Sequence, residues 1–301
     1  MRLGRSLGVL CAVVALAGGG CGGDEHARPD LLFVSTRDGD YAIFEMNADG
    51  SAQHRLTERG GDDVWSTARL FFQIEPAWSP DASRIAFVSR RSGSFDVYAM
   101  NEDGKGTTRL TSTKGVDHHP TWSPKGDRIA FARDGDIWVM QADGSGERRI
   151  SGIEGDESEP SWSPDGAWIA YVRRTPGQVA TEIWLMRPDG SGRRQITRRG
   201  GQSIMPAWSP DSSRVVFASK GDEVYALYTV GVDGRDIRTV VPTASDNFEP
   251  SWSPDGSRIA YQEGGAIFTI ELGGGNVERL TDQANNDSSP AWNPQPPAGD
   301  E

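Results

Sequence analysis

Only two cysteines occur in 301 residues, at positions 11 and 21, so nothing beyond residue 21 can form a disulfide or a thiolate metal site. Histidine is nearly as scarce, with four in the whole chain. Positive charge is in deficit: 31 Lys and Arg stand against 43 Asp and Glu, a formal net charge of -12. Without the first 20 residues the balance is 29 against 43, or -14. Such a body repels nucleic-acid phosphates on average, so no nucleic-acid partner is expected. The Gly-x-Ser-x-Gly signature of a hydrolase nucleophile elbow is missing as well.

What is present begins with Arg2 and Arg5, an apolar run over residues 7–17, and the small-residue stretch Gly18-Gly19-Gly20-Cys21. The run is short for a bilayer span and reads as a secretory signal over residues 1–20. The segment ending in Cys21 is similar to a bacterial lipobox, although Gly18 stands where leucine is usual. That resemblance implies lipidation at Cys21, residues 21–30 as a polar tether, and a membrane contact made through the lipid alone. The expected location is exported, in the periplasm or at the cell surface. Residues 295–301 read as a disordered tail.

The body of the chain is built from one phrase. Trp78-Ser79-Pro80, Trp122-Ser123-Pro124, Trp162-Ser163-Pro164, Trp208-Ser209-Pro210, Trp252-Ser253-Pro254 and the degraded Trp292-Asn293-Pro294 recur at intervals of 44, 40, 46, 44 and 40 residues. That period belongs to four-stranded propeller modules. Each unit offers a short strand with Pro and Trp on one face, an Asp-Gly turn, and an apolar strand such as Arg84-Ile85-Ala86-Phe87-Val88. A third strand such as Asp96-Val97-Tyr98-Ala99-Met100 follows, then an outer strand ending Arg-Leu-Thr, as in Arg109-Leu110-Thr111. Apolar residues at consecutive positions of the second strand mean that both of its faces are covered. The outer arginine suits an exposed sheet edge. The final Trp292 lacks its following strands while residues 31–35 lack a preceding Trp-Ser-Pro. Head and tail are therefore expected to complete one sheet and close the ring.

These motifs resemble the TolB-like, or PD40, propeller family over about residues 31–294, with departures at Ala82, Ser212, Lys125 and Gly273-Gly274-Gly275. The resemblance implies an all-β, six-bladed propeller of four-stranded antiparallel blades acting as a single domain. It implies a protein-binding role in the cell envelope. The α/β domain that precedes the propeller in TolB is not expected in the roughly ten tether residues here.

Loops that vary among otherwise similar modules are the better candidates for binding. Residues 57–78 are ten longer than their counterparts and carry Trp65, Leu70, Phe71 and Phe72, an apolar cluster fit either for a partner or for folding back on the body. Immediately before the repeat proline stand Glu75, His119, Glu159, Met205, Glu249 and Ser289, expected around a channel mouth. Glu75, Glu159 and Glu249, with Asp117, Glu157 and Asp287 nearby, are weak candidates for a divalent cation, and acidic residues at loop ends more commonly cap turns and stay solvated. His118 and His119, adjacent on an extended strand, would point apart and not chelate one ion. No cofactor is otherwise expected. The leading expectation is a monomeric envelope binding module recognising an envelope or peptidoglycan-associated protein through Trp65, Leu70, Phe71, Phe72, Glu75, His119, Glu159 and Glu249, with no catalytic residues. The alternative is a cation-dependent carbohydrate lyase or hydrolase at the channel mouth.

Overall fold

A computed structural model describes residues 28–58, 75–152, 155–221, 223–241, 246–273 and 275–295. Among them are 24 strands and one 3-10 turn, Gln283–Asn285. Each Trp-Ser-Pro repeat lays down four strands. The Trp122 repeat is representative: Asp117–Trp122, Arg128–Arg133, Asp136–Gln141 and Arg148–Arg149 pair antiparallel in chain order. The result is an all-β propeller of four-stranded antiparallel units. Six separate sheets were expected, and here the structure departs. Four sheets have four strands, while the Trp162 and Trp208 repeats share one sheet of eight. Their junction is the single parallel pair Thr181↔Gln202, formed because the third strand of one repeat runs alongside the first strand of the next.

Head and tail pair as the motif arithmetic requires. Leu31–Ser35 lies between Ser288–Trp292 and Ala42–Met46, with Leu31 opposite Trp292 and Leu32 opposite Ala291. Asn293 N–H donates to the Asp30 carbonyl at 2.8 Å, extending the seam beyond the ladder.

The core lies between repeats and not within one. On the second strand, alternation sends Ile and the aromatic residue to one face and a small residue to the other. The small residue receives the next repeat's tryptophan: Trp122 packs with Ala86 and Ala99, Trp162 with Ala130 and Ala132, and Trp208 with Ala170. Trp292 packs in the same way against the cluster containing Ala260 and Ile267, which joins tail to head through Leu31 and Phe33. Apolar residues on both strand faces thus follow from every sheet being sandwiched by its neighbours. At roughly 25 cal/mol per Å2 buried, a tryptophan's 150–250 Å2 makes it the largest single apolar contribution at each junction. Trp122 Nε1 also donates to the Ala77 carbonyl at 3.2 Å, and Trp208 Nε1 to the Ser161 carbonyl at 2.9 Å.

The Trp-Ser-Pro turn is locked by its serine. Ser79, Ser163, Ser209 and Ser253 hydroxyls each donate at 2.6 Å to the aspartate two residues on. In the Trp122 repeat Lys125 occupies that aspartate's place, and Asp127 takes over, accepting from Ser123 Oγ at 2.7 Å. These bonds hold the Asp81, Asp127, Asp211 and Asp255 carboxyls below their ordinary range, Asp255 to about 2. Ala82 and Ser212 stand where glycine is usual, and both adopt positive φ, 56° and 59°. Each has a compensating contact: Ala82 is fully buried in the junction core, and Ser212 Oγ accepts from Asp165 N at 3.0 Å across repeats.

Candidate functional site

The six residues before the repeat prolines form one equivalent set. Glu75, His119, Glu159, Met205, Glu249 and Ser289 all have positive φ, between 49° and 57°. Five of these positions fall where strand register shifts, between His118 and Thr121, Ser158 and Ser161, Ile204 and Ala207, Phe248 and Ser251, and in the seam with Leu32 and Val34. The bulge turns one side chain per repeat out of the strand's alternation. Left-handed backbone costs a non-glycine residue on the order of 1 kcal/mol, a cost repeated at every unit.

A relay of hydrogen bonds offsets that cost. The His119 N–H donates to Glu75, Met205 N–H to Glu159, Glu249 N–H to Met205 Sδ at 3.3 Å, and Ser289 N–H to Glu249. In four steps a side chain of one repeat accepts from the backbone of the next. His119 Nε2 also meets Glu75 Oε1 at 2.8 Å, and both side chains keep partial access to solvent.

The charges are unequal in number, and this shapes their titration. Burial works against a charged His119, but Glu75 beside it, then Glu159 and Glu249, outweigh burial and lift the imidazole to about 9. Burial first, with the charge of Glu75 adding to it, raises Glu249 to about 7 against the hydrogen bonds from Ser289. Glu159 is raised for the same first reason, opposed by His119. His118 is pushed the other way by burial. The expectation that His118 and His119 point apart on a regular strand does not hold. The bulge at His119 breaks the alternation, leaving the ring centroids 5.9 Å apart with only His119 hydrogen-bonded to Glu75.

Among the described residues no group of three or more His, Cys, Asp or Glu is gathered as a metal ion would require. Glu75, Glu159 and Glu249 are instead engaged with His119, Met205 and Ser289. Asp117, Glu157 and Asp287, expected as solvated turn caps, are completely buried. Arg133 chelates Asp117 at 2.6 and 3.0 Å, Arg193 reaches Glu157 at 3.1 Å and Arg37 reaches Asp287 at 3.1 Å. Their partners lie 16, 36 and 250 residues away, so a local reading of the loop could not see them. The outer-strand arginines likewise do more than guard an edge, since Arg55 pairs with Asp40 and Arg109 with Asp96, both at 2.8 Å.

Cys21, Trp65, Leu70, Phe71 and Phe72 lie outside the described residues. No described helix is long and apolar enough to cross a membrane. The positive φ before each proline was not foreseen. The proline disfavours ordinary helical backbone at the residue before it, but that restriction points to extended backbone at negative φ, so the sequence held no local signal for the bulge.

A family model described as the TolB beta propeller domain, PD40, matches residues 68–199 and 160–298. The Tol-Pal system protein TolB of Geobacter sulfurreducens is 31% identical over 89 residues, which is 30% of this chain and 18% of that protein. The matched segment therefore spans less than a fifth of that relative. The crystal structure of TolB from Acinetobacter baumannii superposes with a TM-score of 0.72 at 21% identity, over 88% of this chain and 66% of that one. An oligogalacturonate lyase in complex with manganese gives a TM-score of 0.55 at 17% identity, over 85% and 74%. At these identities the structural likenesses are likenesses of fold.

Proposed function

Since the chain belongs to the TolB β-propeller domain family, PD40, we propose that it is a non-enzymatic binding module of the cell envelope whose channel mouth receives a partner protein. In this reading the shared eight-stranded sheet counts as two blades, and six blades surround an axial channel. The signal over residues 1–20 exports the chain, Cys21 carries a lipid, and the propeller works as a monomer in the periplasm or at the cell surface. The partner is an envelope or peptidoglycan-associated protein, in keeping with relatives named as Tol-Pal system proteins.

The observation that carries the proposal is the belt of six pre-proline residues. Maintaining left-handed backbone at Glu75, His119, Glu159, Met205, Glu249 and Ser289 is costly, and repeated strain of this kind accompanies functional positions. The belt supplies carboxylates, an imidazole and a thioether at one rim, a mixed polar and soft surface suited to a protein segment. The lyase alternative requires gathered metal ligands, and the engagement of Glu75 with His119 counts against it.

A photo-crosslinking residue placed at 119 in the full chain, irradiated in envelope extracts of the source cells, tests the reading. A specific envelope-protein adduct from 119, absent from the same label at Asp143 in a hairpin turn, is expected. Equal labelling from both positions, or none from 119, overturns it.

A further inference from the structure

In four repeats the second strand opens on an arginine, Arg84, Arg128, Arg214 and Arg258, each one residue before the Ile or Val that lies opposite the repeat tryptophan. From there the side chain can reach the next repeat. Arg84 lies 5.4 Å from the Trp122 ring, and its Nη1 donates at 3.1 Å to the carbonyl of Ala142, in the Asp-Gly hairpin of that repeat. Arg128 lies 5.3 Å from the Trp162 ring, and Arg148 donates to the equivalent hairpin carbonyl, Pro188, at 3.2 Å. Trp168 stands in the arginine's place in the Trp162 repeat, and Arg194 makes the bond to the Val232 carbonyl instead. Three consecutive junctions are thus bridged by a cation. At the fourth, Arg214 turns to Asp236 of its own repeat at 2.8 Å.

The seam differs. Arg258 is next to the head-and-tail repeat, in which Trp292 and Ala48 hold the places of Trp122 and Ala142. The residue types are those of the Arg84 junction, yet among the described residues the Arg258 guanidinium makes no hydrogen bond or ion pair and covers no ring. A cavity of about 270 Å3 lies there instead, with Asp30, Ala48, Asp255, Arg258 and Trp292 in its walls. The hairpin is also hung differently. Glu102, Ala142, Val232 and Leu272 N–H groups donate to the backbone carbonyls of Ser83, Asp127, Ser213 and Ser257, whereas Ala48 N–H donates to the Asp30 carboxylate at 2.7 Å. Asp30 stands where other repeats open on arginine, so Arg258 shares the cavity with a carboxylate and not with a second cation. Trp122 and Trp162, under their arginines, are 7% and 6% exposed, while Trp292 is half-buried.

These walls select their occupant. Arginine only donates hydrogen bonds and a carboxylate only accepts them, while a hydroxyl does both. An anion would meet Asp30 and Asp255, whose carboxyl the bonds from Ser253 and Ser257 lower to about 2, and a cation would meet Arg258. The indole face is negative and favours C–H groups laid against it. Pockets for drug-sized ligands hold roughly 300–1,000 Å3, so this one admits a single small ring. We propose that the seam cavity binds an uncharged pyranose unit of a glycan, whose hydroxyls bridge Arg258 and Asp30 and whose C–H face covers Trp292 as Arg84 covers Trp122. Asp30 and Ala48 come from the head, Trp292 from the tail and Arg258 from the Trp252 repeat, so the bound sugar holds the ring closed and stabilises the fold by mass action. The site lies at the Trp292 end of the strand Ser288–Trp292, opposite to the end that carries Ser289, and goes beyond the channel-mouth reading without resting on it.

Ligand-observed saturation-transfer NMR on the full chain tests the site. The probes are the methyl β-glycosides of glucose and N-acetylglucosamine, which are neutral, methyl β-glucuronide and glucosamine, which are charged, and the zwitterion alanine. At least one neutral glycoside is expected to bind saturably, with a Kd on the order of 1 mM and a thermal midpoint that rises with its concentration. The charged sugars and alanine bind about fivefold more weakly or worse, as a like charge within the walls implies. Arg258→Leu removes a cation with no internal partner, and Ala48→Leu fills the cavity with the residue that the Trp252 repeat already carries at Leu272. Both variants therefore keep the fold, and both abolish the response. No saturable response to either neutral glycoside, a charged sugar or alanine binding as tightly, or a response unchanged in either variant would each overturn the proposal. Glu75→Gln leaves the titration unaltered, so failure of the channel-mouth reading and failure of this site are told apart.

Discussion

Gly144 answers to two constraints at once. Its φ of 87° is strained for any residue with a side chain, and a methyl group there would sit 2.5 Å from the Leu110 carbonyl oxygen of the preceding repeat. Gly50, Gly104 and Gly190 meet Leu280, Leu56 and Ile150 in the same manner, so the hairpin glycine is also an inter-repeat spacer. Gly144→Ala is accordingly expected to lower stability by about 2 kcal/mol or more, read as a shift in urea midpoint, because strain and overpacking add. Gly39, with nothing near its would-be methyl, isolates the conformational part and should respond less to the same change. The Asp-Gly motif announced a turn but not the neighbour, since sequence shows what φ a glycine permits and not what lies against it. The same limit applies to Lys125, a plain departure from the motif until Asp127 is seen bonded to Ser123.

At the scale of the strand, the Arg-Leu-Thr ending has a role that its charge concealed. Thr57, Thr111, Ser151, Thr197 and Thr281 each accept through the hydroxyl from a third-strand N–H fourteen residues earlier, those of Ile43, Val97, Ile137, Ile183 and Ile267. Outer strands of only two or three residues pair with the third strand in these repeats, and the hydroxyl continues the ladder where backbone pairing stops. The Trp208 repeat has Val241 there and compensates with a four-residue strand, Arg238–Val241, that pairs Val241 with Leu227 directly. Thr111→Val preserves shape while leaving the buried Val97 N–H unpaired, and should cost about 1–3 kcal/mol in thermal or urea unfolding. Val241→Thr, where backbone already does the work, should change stability by less than about 0.5 kcal/mol. The strands themselves were plain in the sequence because the apolar pattern and the 40–46-residue spacing are properties of the chain alone. What the spacing could not show was the bulge before each proline, which depends on the next repeat's backbone as an acceptor's partner, nor the burial of Asp117 and Glu157, which depends on distant arginines.

Across the whole molecule, ring closure turns residues scattered over more than 200 positions into one electrostatic unit. Glu249 titrates near 7 in the folded chain against an ordinary 4.5, and His119 near 9 against 6.5. Both prefer the proton when folded, so each contributes stability that is complete below its unfolded value and lost as pH rises through its folded one. The belt therefore loses stability from about pH 4.5 to 7 through Glu249 and from about 6.5 to 9 through His119. The turn aspartates act in the opposite sense: Asp255, lowered from 3.8 to about 2, adds stability above the former value and loses it as pH falls through the latter. A maximum between the ordinary Asp value of 3.8 and the ordinary Glu value of 4.5 follows, more acidic than the neutral optimum common among folded proteins. Thermal midpoints of the full chain measured from pH 4 to 9 should decline above that maximum. Glu249→Gln should flatten the lower part of the decline, and His119→Asn the upper part. A slope that both variants leave untouched would mean that Glu75, Glu159, Glu249 and His119 do not act on one another as one electrostatic unit.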